Sequence, residues 1–265
     1  MAAVVAHYDP QGDVADDLLA TVRALHTRGA RVCLVSTGLN DGAAAALAPW
    51  ADVVRRENTG YDFWSYKVGI DRLRSQRPSG PFERLLLLNS SVWIDDAERL
   101  LQRMDAHRGR LDVISVTLSH EVRPHLQSFW LAFETPEVLA SSAFERWWAD
   151  LVPLSVREEV IARHELGLSA HFAQAGFRLG ALFQPTREQR LRAVLRALEN
   201  GFLPMPSGDV VSVDVAQADR LNPTMYAWDA LYEELGVLKW ELLRRNPHRL
   251  NLERLRGDPR LSRLL

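Results

Sequence analysis

The stretch RLLLLNSS, residues 84–91, decides the fold, because four consecutive leucines are followed at once by three polar residues. A strand with one face in water alternates apolar and polar side chains, whereas an uninterrupted apolar run is typical of a strand covered on both faces. The run therefore predicts a buried strand over 84–88 in a mainly parallel sheet. The carboxyl end of that strand carries Asn89, Ser90 and Ser91.

Strand and helix patterns alternate before this run and continue after it. The expected strands cover 4–8, 31–36, 51–55 and 112–118, and the expected helices cover 13–28, 42–48 and 63–74, with a turn at 78–81. Alternation of this kind is typical of βαβ units, whose helices cover both faces of the sheet. We therefore predict an α/β fold with a mainly parallel sheet flanked by helices.

The second half of the chain is less regular. The expected elements are an extended segment over 127–133, a helix that starts at Thr135-Pro136, a helix over 165–175 and a strand over 177–183. From Pro223 onward the chain is rich in arginine and leucine and is predicted to be helical. We expect an α/β domain over 1–222 and a C-terminal helical extension over 223–265 that packs on it.

The composition excludes several classes of protein. The 265 residues are 47% hydrophobic and 25% charged, as in ordinary globular chains. A net charge of −2 provides no overall field to attract nucleic acid, and the absence of a long apolar run or a basic leader predicts a cytoplasmic protein. Cys33 lies in an apolar run and is expected to be a buried thiol. Of the 32 basic residues, only Lys67 and Lys239 are lysines.

Polar residues follow the predicted strands, and ligands of open parallel sheets bind at the carboxyl ends of the strands. These ends are HYD at 7–9, ST at 36–37, RENTGYD at 56–62 and NSS at 89–91. The same residue types also form turns and caps, which is the favoured interpretation for Ser36 and Thr37. The loop that runs from Arg56 to Lys67 favours a functional site, because it joins a glycine, two tyrosines, a carboxylate and a rare lysine.

Six separated motifs resemble the rhamnan synthesis protein F family of bacterial polysaccharide assembly. In chain order they are HYD at 7–9, ST at 36–37, RENTGYDFWSYKVGI at 56–70, LLLLNSSVWI at 85–94, HLQSFW at 125–130 and NPTMYAWDALYEELGVLKWELLRRNP at 222–247. The resemblance covers nearly the whole chain. That family looks like a divergent relative of the family 2 glycosyltransferases, whose GT-A fold is a Rossmann-related α/β domain. It implies an inverting glycosyltransferase that moves rhamnose or a related deoxysugar from a dTDP-rhamnose-like nucleotide-sugar to a growing surface polysaccharide.

The resemblance also implies which residues bind the donor. The N-x-G loop, helix and apolar strand of family 2 enzymes are matched by residues 58–60, a helix to Arg74 and residues 85–91. The implied donor-binding residues are His7, Tyr8, Asp9, Ser36, Thr37, Arg56, Asn58, Gly60, Tyr61, Asp62, Lys67, Asn89, Ser90 and Ser91. Asp9 and Asp62 would bind base, ribose or sugar hydroxyls. Gly60 would provide either a positive φ or a close approach of backbone to ligand.

A second group of residues would serve the acceptor. Family 2 enzymes carry a Glu-Asp pair that opens a helix, and HELGLS at 164–169 matches it if Glu165 takes the place of the Asp. Glu165 is then the catalytic base; the alternative is a solvated glutamate stabilised at a helix start. Gln127, Ser128 and Trp130 would line the pocket for a glycan or lipid-linked glycan, although Trp130, like Trp147 and Trp148, also suits the core.

The metal site of the GT-A pattern is missing. Its D-x-D motif is replaced by Asn89-Ser90-Ser91, which provides only neutral oxygens, and Asp95 or Asp96 further on is expected to cap a helix. Either Asp9 or Asp62 would hold Mg²⁺ or Mn²⁺, or cationic side chains such as Lys67 and Arg56 would neutralise the leaving diphosphate. The sequence favours the second option, and both cations have a surface or packing role as the alternative.

Two further alternatives stay open at this point. The C-terminal arginines and leucines suit an amphipathic helix on the inner face of the plasma membrane, or a solvated helix face packed on the domain. A non-catalytic nucleotide-sugar or glycan-binding module would keep the strand-end residues and need no base. A Rossmann oxidoreductase is disfavoured, because no G-x-G-x-x-G motif follows the first strand.

Overall fold

The computed structural model describes residues 1–76, 82–204 and 214–261. The turn expected at 78–81 lies outside these ranges. The strands are β1 (Ala2–His7), β2 (Arg31–Ser36), β3 (Asp52–Arg55), β4 (Leu85–Asn89), β5 (Val92–Ile94), β6 (Val113–Ser115), β7 (Leu118–Ser119), β8 (His125–Leu126), β9 (Trp130–Phe133), β10 (Leu179–Ala181) and β11 (Val237–Lys239).

Helices flank the strands throughout the described ranges. They are α1 (Asp16–Thr27), α2 (Asp41–Leu47), α3 (Tyr61–Ser75), α4 (Ala97–Asp105), α5 (Pro136–Leu139), α6 (Ser142–Ala149), α7 (Arg157–Val160), α8 (Leu166–Gln174), α9 (Arg187–Glu199), α10 (Pro223–Tyr226), α11 (Trp228–Leu235), α12 (Trp240–Arg244) and α13 (Glu253–Arg256). A π turn over Ile161–Glu165 joins α7 to α8, and a 3₁₀ helix covers Val215–Arg220. None of the described helices is both long and apolar enough to cross a membrane.

The central sheet is mainly parallel, as predicted. Its seven strands lie in the order β10-β6-β9-β4-β1-β2-β3. β9 runs antiparallel to both of its neighbours, whereas the remaining pairs are parallel. Two small antiparallel pairs, β5 with β11 and β7 with β8, stand apart from this sheet. The mainly parallel α/β class of the sequence analysis is confirmed.

Both faces of the sheet are covered, which explains the leucine run. Leu86 and Leu88 pack in one core with side chains of α1, α4 and α11, and Leu85 and Leu87 pack in a second core with side chains of α3, α6 and α8. Full burial of each leucine contributes about 1.5–3 kcal/mol. Cys33 lies in the second core, and burial raises the pKa of its thiol to about 12. The expected burial of this thiol is confirmed.

The chain order reverses between β1 and β4, and we call the region beyond the carboxyl ends of these two strands the crevice. From β1 the chain steps outward to β2 and β3, and then β4 returns to the other side of β1. Such a reversal is where doubly wound sheets bind ligands. Because β9 is antiparallel, with Trp130 beside Leu88, the segment that precedes β9 reaches the same edge.

The C-terminal segment differs from the expected run of helices. It contains β11, which pairs with β5 so that Lys239 lies opposite Val92. The tail leucines lie in the same core as α1: Leu250, Leu255 and Leu261. Some arginines of the tail form ion pairs, such as Arg254 with Asp229 at 3.5 Å. These contacts support the alternative of a tail packed on the domain, because α13 has only four residues and the tail leucines are buried. A membrane contact of the tail stays a prediction, and Arg263 lies outside the described ranges.

Other boundaries differ because turns interrupt apolar runs. The strand expected over 112–118 is divided between β6 and β7, and the strand expected over 177–183 is reduced to β10. The helix expected over 165–175 begins earlier, since α7, the π turn and α8 form one continuous segment. Glu165 thus lies inside a helical segment. The alternative of a solvated glutamate at a helix start is wrong.

Candidate active site

The end of β1 is tied to the end of β2 by a buried histidine. The Nε2–H of His7 donates to the carbonyl of Asp13 at 2.9 Å, so Nδ1 accepts from the Ser36 hydroxyl at 2.9 Å. Burial lowers the pKa of His7, which agrees with a neutral ring. These contacts support the turn interpretation of Ser36 and assign His7 a positioning role. The hydroxyl of Thr37 is buried and has no hydrogen-bond partner within the described part of the chain.

Asp9 and Tyr8 lie at the mouth of the crevice. Asp9 Oδ1 accepts from the backbone amides of Gln11 and Asp13, and Asp9 Oδ2 lies 3.9 Å from the guanidinium of Arg244. The Tyr8 ring is 54% exposed. The Tyr8 amide donates to Ser90 Oγ at 3.1 Å, which connects β1 to the turn after β4. Two backbone amides and the guanidinium of Arg244 thus orient the Asp9 side chain beside the end of β1.

The loop after β3 is organised by Arg56. Its guanidinium donates to the carbonyls of Glu57, Thr59 and Tyr61 and to the hydroxyl of Ser65, at distances from 2.5 to 3.1 Å. Every nitrogen of the group is engaged, and burial lowers the pKa of Arg56. The prediction that Arg56 faces a diphosphate is therefore not supported by the geometry, because its donors are used within the loop.

Gly60 has the positive φ that the sequence analysis offered as one alternative. Its φ is +70°, and a Cβ at this position would lie 2.6 Å from Cβ of Trp64 and 2.8 Å from Cβ of Pro153. The glycine is needed for the packing of the loop, and the alternative of a close approach to ligand is not needed to explain it. Asn58 and Tyr61 are exposed on this loop.

Lys67 does not reach the carboxyl ends of the strands. Its ammonium donates to the carbonyl of Trp148 at 2.5 Å and lies 3.8 Å from the carboxylate of Asp71. It therefore connects α3 to the end of α6. The prediction that Lys67 neutralises a diphosphate is wrong in this structure, because adjacency to the loop in sequence places the side chain on the wrong side of α3.

A polar cluster lies at the carboxyl end of β4 instead. Asp62 Oδ2 accepts from the amide of Asn89 at 2.7 Å. Asn89 Oδ1 accepts from the backbone amide and the hydroxyl of Ser91, at 3.0 and 2.6 Å. Ser91 Oγ in turn accepts from the ammonium of Lys239 at 3.1 Å. We call Asp62, Asn89, Ser91, Lys239 and Glu165 the strand-end cluster.

Glu165 is positioned by the segment that precedes β9. Its Oε1 accepts from both the backbone amide and the hydroxyl of Ser128, at 2.7 and 2.9 Å. The Ser128 carbonyl accepts from the phenol of Tyr66 at 2.9 Å, which anchors this segment to α3. Within the described ranges Oε2 of Glu165 makes no hydrogen bond. One oxygen thus orients the carboxylate, and the other is available to a ligand.

The charges of the strand-end cluster are coupled. Burial raises the pKa of Asp62 to about 6, and the Glu165 carboxylate acts in the same direction, whereas Lys239 and Asn89 oppose it. Burial lowers the pKa of Lys239, and the carboxylates of Glu165 and Asp62 oppose this effect. The pKa of the Tyr66 phenol is raised well above its usual value by burial. Perturbed groups of both signs in one crevice are typical of a functional site.

The other acceptor residues of the prediction are internal. Gln127 accepts from the hydroxyl of Thr117 at 2.8 Å and donates to Asn222 at 3.3 Å. Trp130 is fully buried, and its indole N–H donates to the sulfur of Met104. Assigning Gln127 and Trp130 to an acceptor pocket is therefore wrong. The structure brings Ser128 alone of these three to the strand-end cluster.

Sequence reasoning missed Lys239 in this site. The residue comes from β11, and its side chain lies 148 residues from Ser91 along the chain. The one signal in the sequence is that Lys239 and Lys67 are the two lysines among 32 basic residues. This signal does not favour either lysine over the other. The ammonium also lies 4.6 Å from the centre of the Phe129 ring.

The oxygens at the end of β4 do not suit a divalent cation. Asn89 Oδ1 already accepts two hydrogen bonds, Ser91 provides a neutral hydroxyl, and the Lys239 ammonium lies against it. Mg²⁺ and Mn²⁺ prefer anionic oxygens in a near-octahedral arrangement, and an adjacent cation repels them. Of the two residues expected to cap a helix, Asp96 caps α4 through the amide of Arg99 at 2.9 Å, whereas Asp95 pairs with Arg260.

Two curated proteins are similar to this chain over about three quarters of its length. One is the uncharacterized protein y4gN of Sinorhizobium fredii, which is 27% identical over 209 residues, 75% of this chain and 51% of that protein. The other is the virulence protein VirA of Vibrio anguillarum, which is 26% identical over 200 residues, 73% of this chain and 62% of that protein. The chain thus spans between half and two thirds of the length of these relatives.

Solved glycosyltransferases are distant neighbours. Mannosyltransferase PcManGT from Pyrobaculum calidifontis, in complex with GDP-Man and Mn²⁺, gives a TM-score of 0.38 at 10% identity and covers 88% of this chain and 70% of that chain. TarS 1–349 from S. aureus gives 0.41 at 13% identity and covers 88% and 72%. Similarity at this level bears on neither substrate nor mechanism.

A family model also matches this chain, and it identifies the family. The model of the family described as rhamnan synthesis protein F matches residues 32–197, which include the loop after β3, the end of β4, Ser128 and Glu165. The match covers more than half of the chain, and the chain therefore belongs to the rhamnan synthesis protein F family.

Proposed function

We propose that this protein is a glycosyltransferase that moves a sugar from a nucleotide-sugar donor to a hydroxyl of a growing bacterial surface polysaccharide. The observation that carries the proposal is the arrangement of Glu165, whose Oε1 is held by two donors of Ser128 while Oε2 has no partner among the described residues. A base must be oriented and yet have one oxygen free for the proton that it accepts. Family membership supports the same class of reaction.

The proposed step is a single displacement. The acceptor hydroxyl gives its proton to Glu165 as its oxygen forms a bond to the anomeric carbon. The bond between that carbon and the diphosphate oxygen breaks, and its electron pair leaves with the nucleoside diphosphate. A single in-line attack inverts the anomeric centre, and holding the reacting groups in line provides much of the rate.

The donor would lie in the crevice between β1 and β4. Tyr8 and Asp9 would contact the nucleoside at the open end. Asp62 would accept hydrogen bonds from sugar hydroxyls, and the Asn89 amide would donate a hydrogen bond to one. Ser128 would position Glu165 beside the acceptor. The donor sugar that the family description favours is rhamnose, carried as a dTDP-rhamnose-like compound. The acceptor would be a glycan or a lipid-linked glycan, met in the cytoplasm or at the inner face of the plasma membrane.

The test is Glu165→Gln, which keeps the oxygen that accepts from Ser128 and removes the ability to take a proton. We expect transfer to fall by about 10²–10⁴-fold, the usual contribution of a general base, while donor affinity measured by calorimetry stays within about twofold. Glu159→Gln, on the exposed face of α7, is the matched control and should transfer at the wild-type rate.

Three outcomes separate the alternatives. Loss of transfer with intact donor binding supports Glu165 as the base. Wild-type transfer by Glu165→Gln would remove Glu165 from the mechanism. Tight donor binding without transfer or donor hydrolysis by the wild-type chain would favour the non-catalytic binding module.

A further inference from the structure

We propose that the ammonium of Lys239 binds the diphosphate of the donor and takes the role that a divalent metal ion plays at this position in metal-dependent sugar transferases. The inference rests on the proposed function and deepens it, because it names the group that stabilises the leaving nucleoside diphosphate. It also replaces Lys67 and Arg56, whose donors are used elsewhere in the fold.

Strand pairing places Lys239 beside the end of β4, although the two are far apart in sequence. β11 pairs antiparallel with β5, the strand directly after the turn at 89–91, and this register places Lys239 opposite Val92. The amide of Trp240 donates to the carbonyl of Ser91 at 3.0 Å, which ties the residue after the lysine to the same turn. The backbone position of Lys239 is therefore set by strand pairing rather than by a flexible loop.

The ammonium has bonding capacity left for a ligand. A lysine ammonium has three donors, and one of them is given to Ser91 Oγ at 3.1 Å. On another side it lies 4.6 Å from the centre of the Phe129 ring, which holds the cation without an acceptor oxygen. Within the described ranges no carboxylate lies within ion-pair distance of Lys239. A diphosphate oxygen would complete its coordination.

The Lys239 ammonium has no directly bonded counter-charge among the described residues. The carboxylates of Asp62 and Glu165 are near enough to influence the pKa of Lys239, yet neither is bonded to it. A half-buried ammonium that is not paired directly is costly to hold, and a phosphate oxygen relieves that cost. Lysine is a compact point charge that suits a phosphate oxygen, as the ammonium does in phosphate-binding loops.

The experiment measures binding of UDP, dTDP and GDP to the full chain by calorimetry, with EDTA and then with Mn²⁺. For whichever diphosphate binds the wild type, we expect EDTA to leave the Kd within about twofold. Lys239→Met, which keeps the apolar stem without the charge, should weaken that diphosphate by at least tenfold and change the corresponding free nucleoside by less than twofold. Lys239→Arg should restore part of the affinity, and Lys67→Met is the matched control that should bind as the wild type does.

Each other result counts against the inference. Equal diphosphate affinity in wild type and Lys239→Met would overturn it, as would binding that disappears with EDTA and returns with Mn²⁺, or a wild type that binds none of the three diphosphates. The EDTA arm uses the wild type alone, so it decides the matter even if a Lys239 variant fails to fold. If the wild type transfers sugar and Lys239→Met binds the diphosphate as the wild type does, the role of Lys239 is refuted and the proposed function stands. If diphosphate binding depends on Lys239 but the wild type transfers no sugar, the role of Lys239 stands and the proposed function is refuted.

Discussion

The buried carboxylate of Asp62 should make the protein less stable as the pH rises, and Asp62→Asn should remove that effect. Asn at this position retains an oxygen to accept from Asn89, so the hydrogen bond at 2.7 Å is preserved while the charge is lost. Above its pKa the wild-type side chain is a carboxylate with reduced access to water. The substitution therefore isolates the free energy of holding that charge in the strand-end cluster.

The magnitude follows from the pKa of Asp62, which burial raises from 3.8 to about 6. A raised pKa means that the folded protein keeps the proton at pH values where the unfolded chain has lost it, so stability falls as the pH rises between the two values. A difference of this size corresponds to about 3 kcal/mol, and partial access of solvent reduces the expected effect to between about 1 and 3 kcal/mol. The full penalty is present above the folded pKa of about 6 and absent well below 3.8.

Urea unfolding of the two proteins between about pH 4 and pH 8 measures this directly. We expect Asp62→Asn to gain stability over the wild type progressively as the pH rises, with most of the gain complete near pH 7. Asp71→Asn, on an exposed part of the same helix, is the control and should show no such trend. A difference between Asp62→Asn and wild type that is constant across the range would refute the assigned burial of the Asp62 charge.

Two further substitutions test how the site is built. Ser128→Ala keeps the backbone amide that holds Glu165 Oε1 and removes the hydroxyl, so transfer should fall by about tenfold with little change in donor affinity; an unchanged rate would show that one donor suffices to orient the base. Gly60→Ala places a Cβ within 2.6 Å of Trp64, and should lower the free energy of unfolding by about 1–3 kcal/mol in urea titration; a stability equal to wild type would mean that the loop can shift without loss.

Much of the fold is predictable because burial on both faces leaves a clear mark in the sequence. The apolar run at 85–88 and the RVCLVS run at 31–36 lie in strands close to those expected, and Thr135 caps α5 with Pro136 at its first turn, as the pattern predicts. The direction of β9 is not predictable in this way, since periodicity is the same for a strand that runs either way. The pairing of β11 with β5 was also missed, because it joins short segments that are far apart in sequence.

Some residues of the candidate site were predictable from the sequence and others were not. Asp62, in the first turn of α3 after the β3 loop, and Asn89, the last residue of β4, are brought together as expected. Residues assigned by proximity in sequence failed: Lys67 turns to Trp148, and Trp130 enters the core. Sequence position does not determine which side of a helix or strand carries a side chain to the site, and only the folded chain placed Lys239 at Ser91.

Thermal unfolding of the wild-type chain with a panel of donors tests whether the crevice between β1 and β4 binds a nucleotide-sugar. The panel should include dTDP-rhamnose, UDP-glucose and GDP-mannose, each alongside its free sugar. A donor at about 100 times its Kd adds about 2.7 kcal/mol to the free energy of unfolding, which corresponds to a rise of roughly 5–10 °C in Tm. We expect at least one nucleotide-sugar to produce this rise and Glu165→Gln to show the same rise. An unchanged Tm with every donor would mean that the crevice does not bind a nucleotide-sugar.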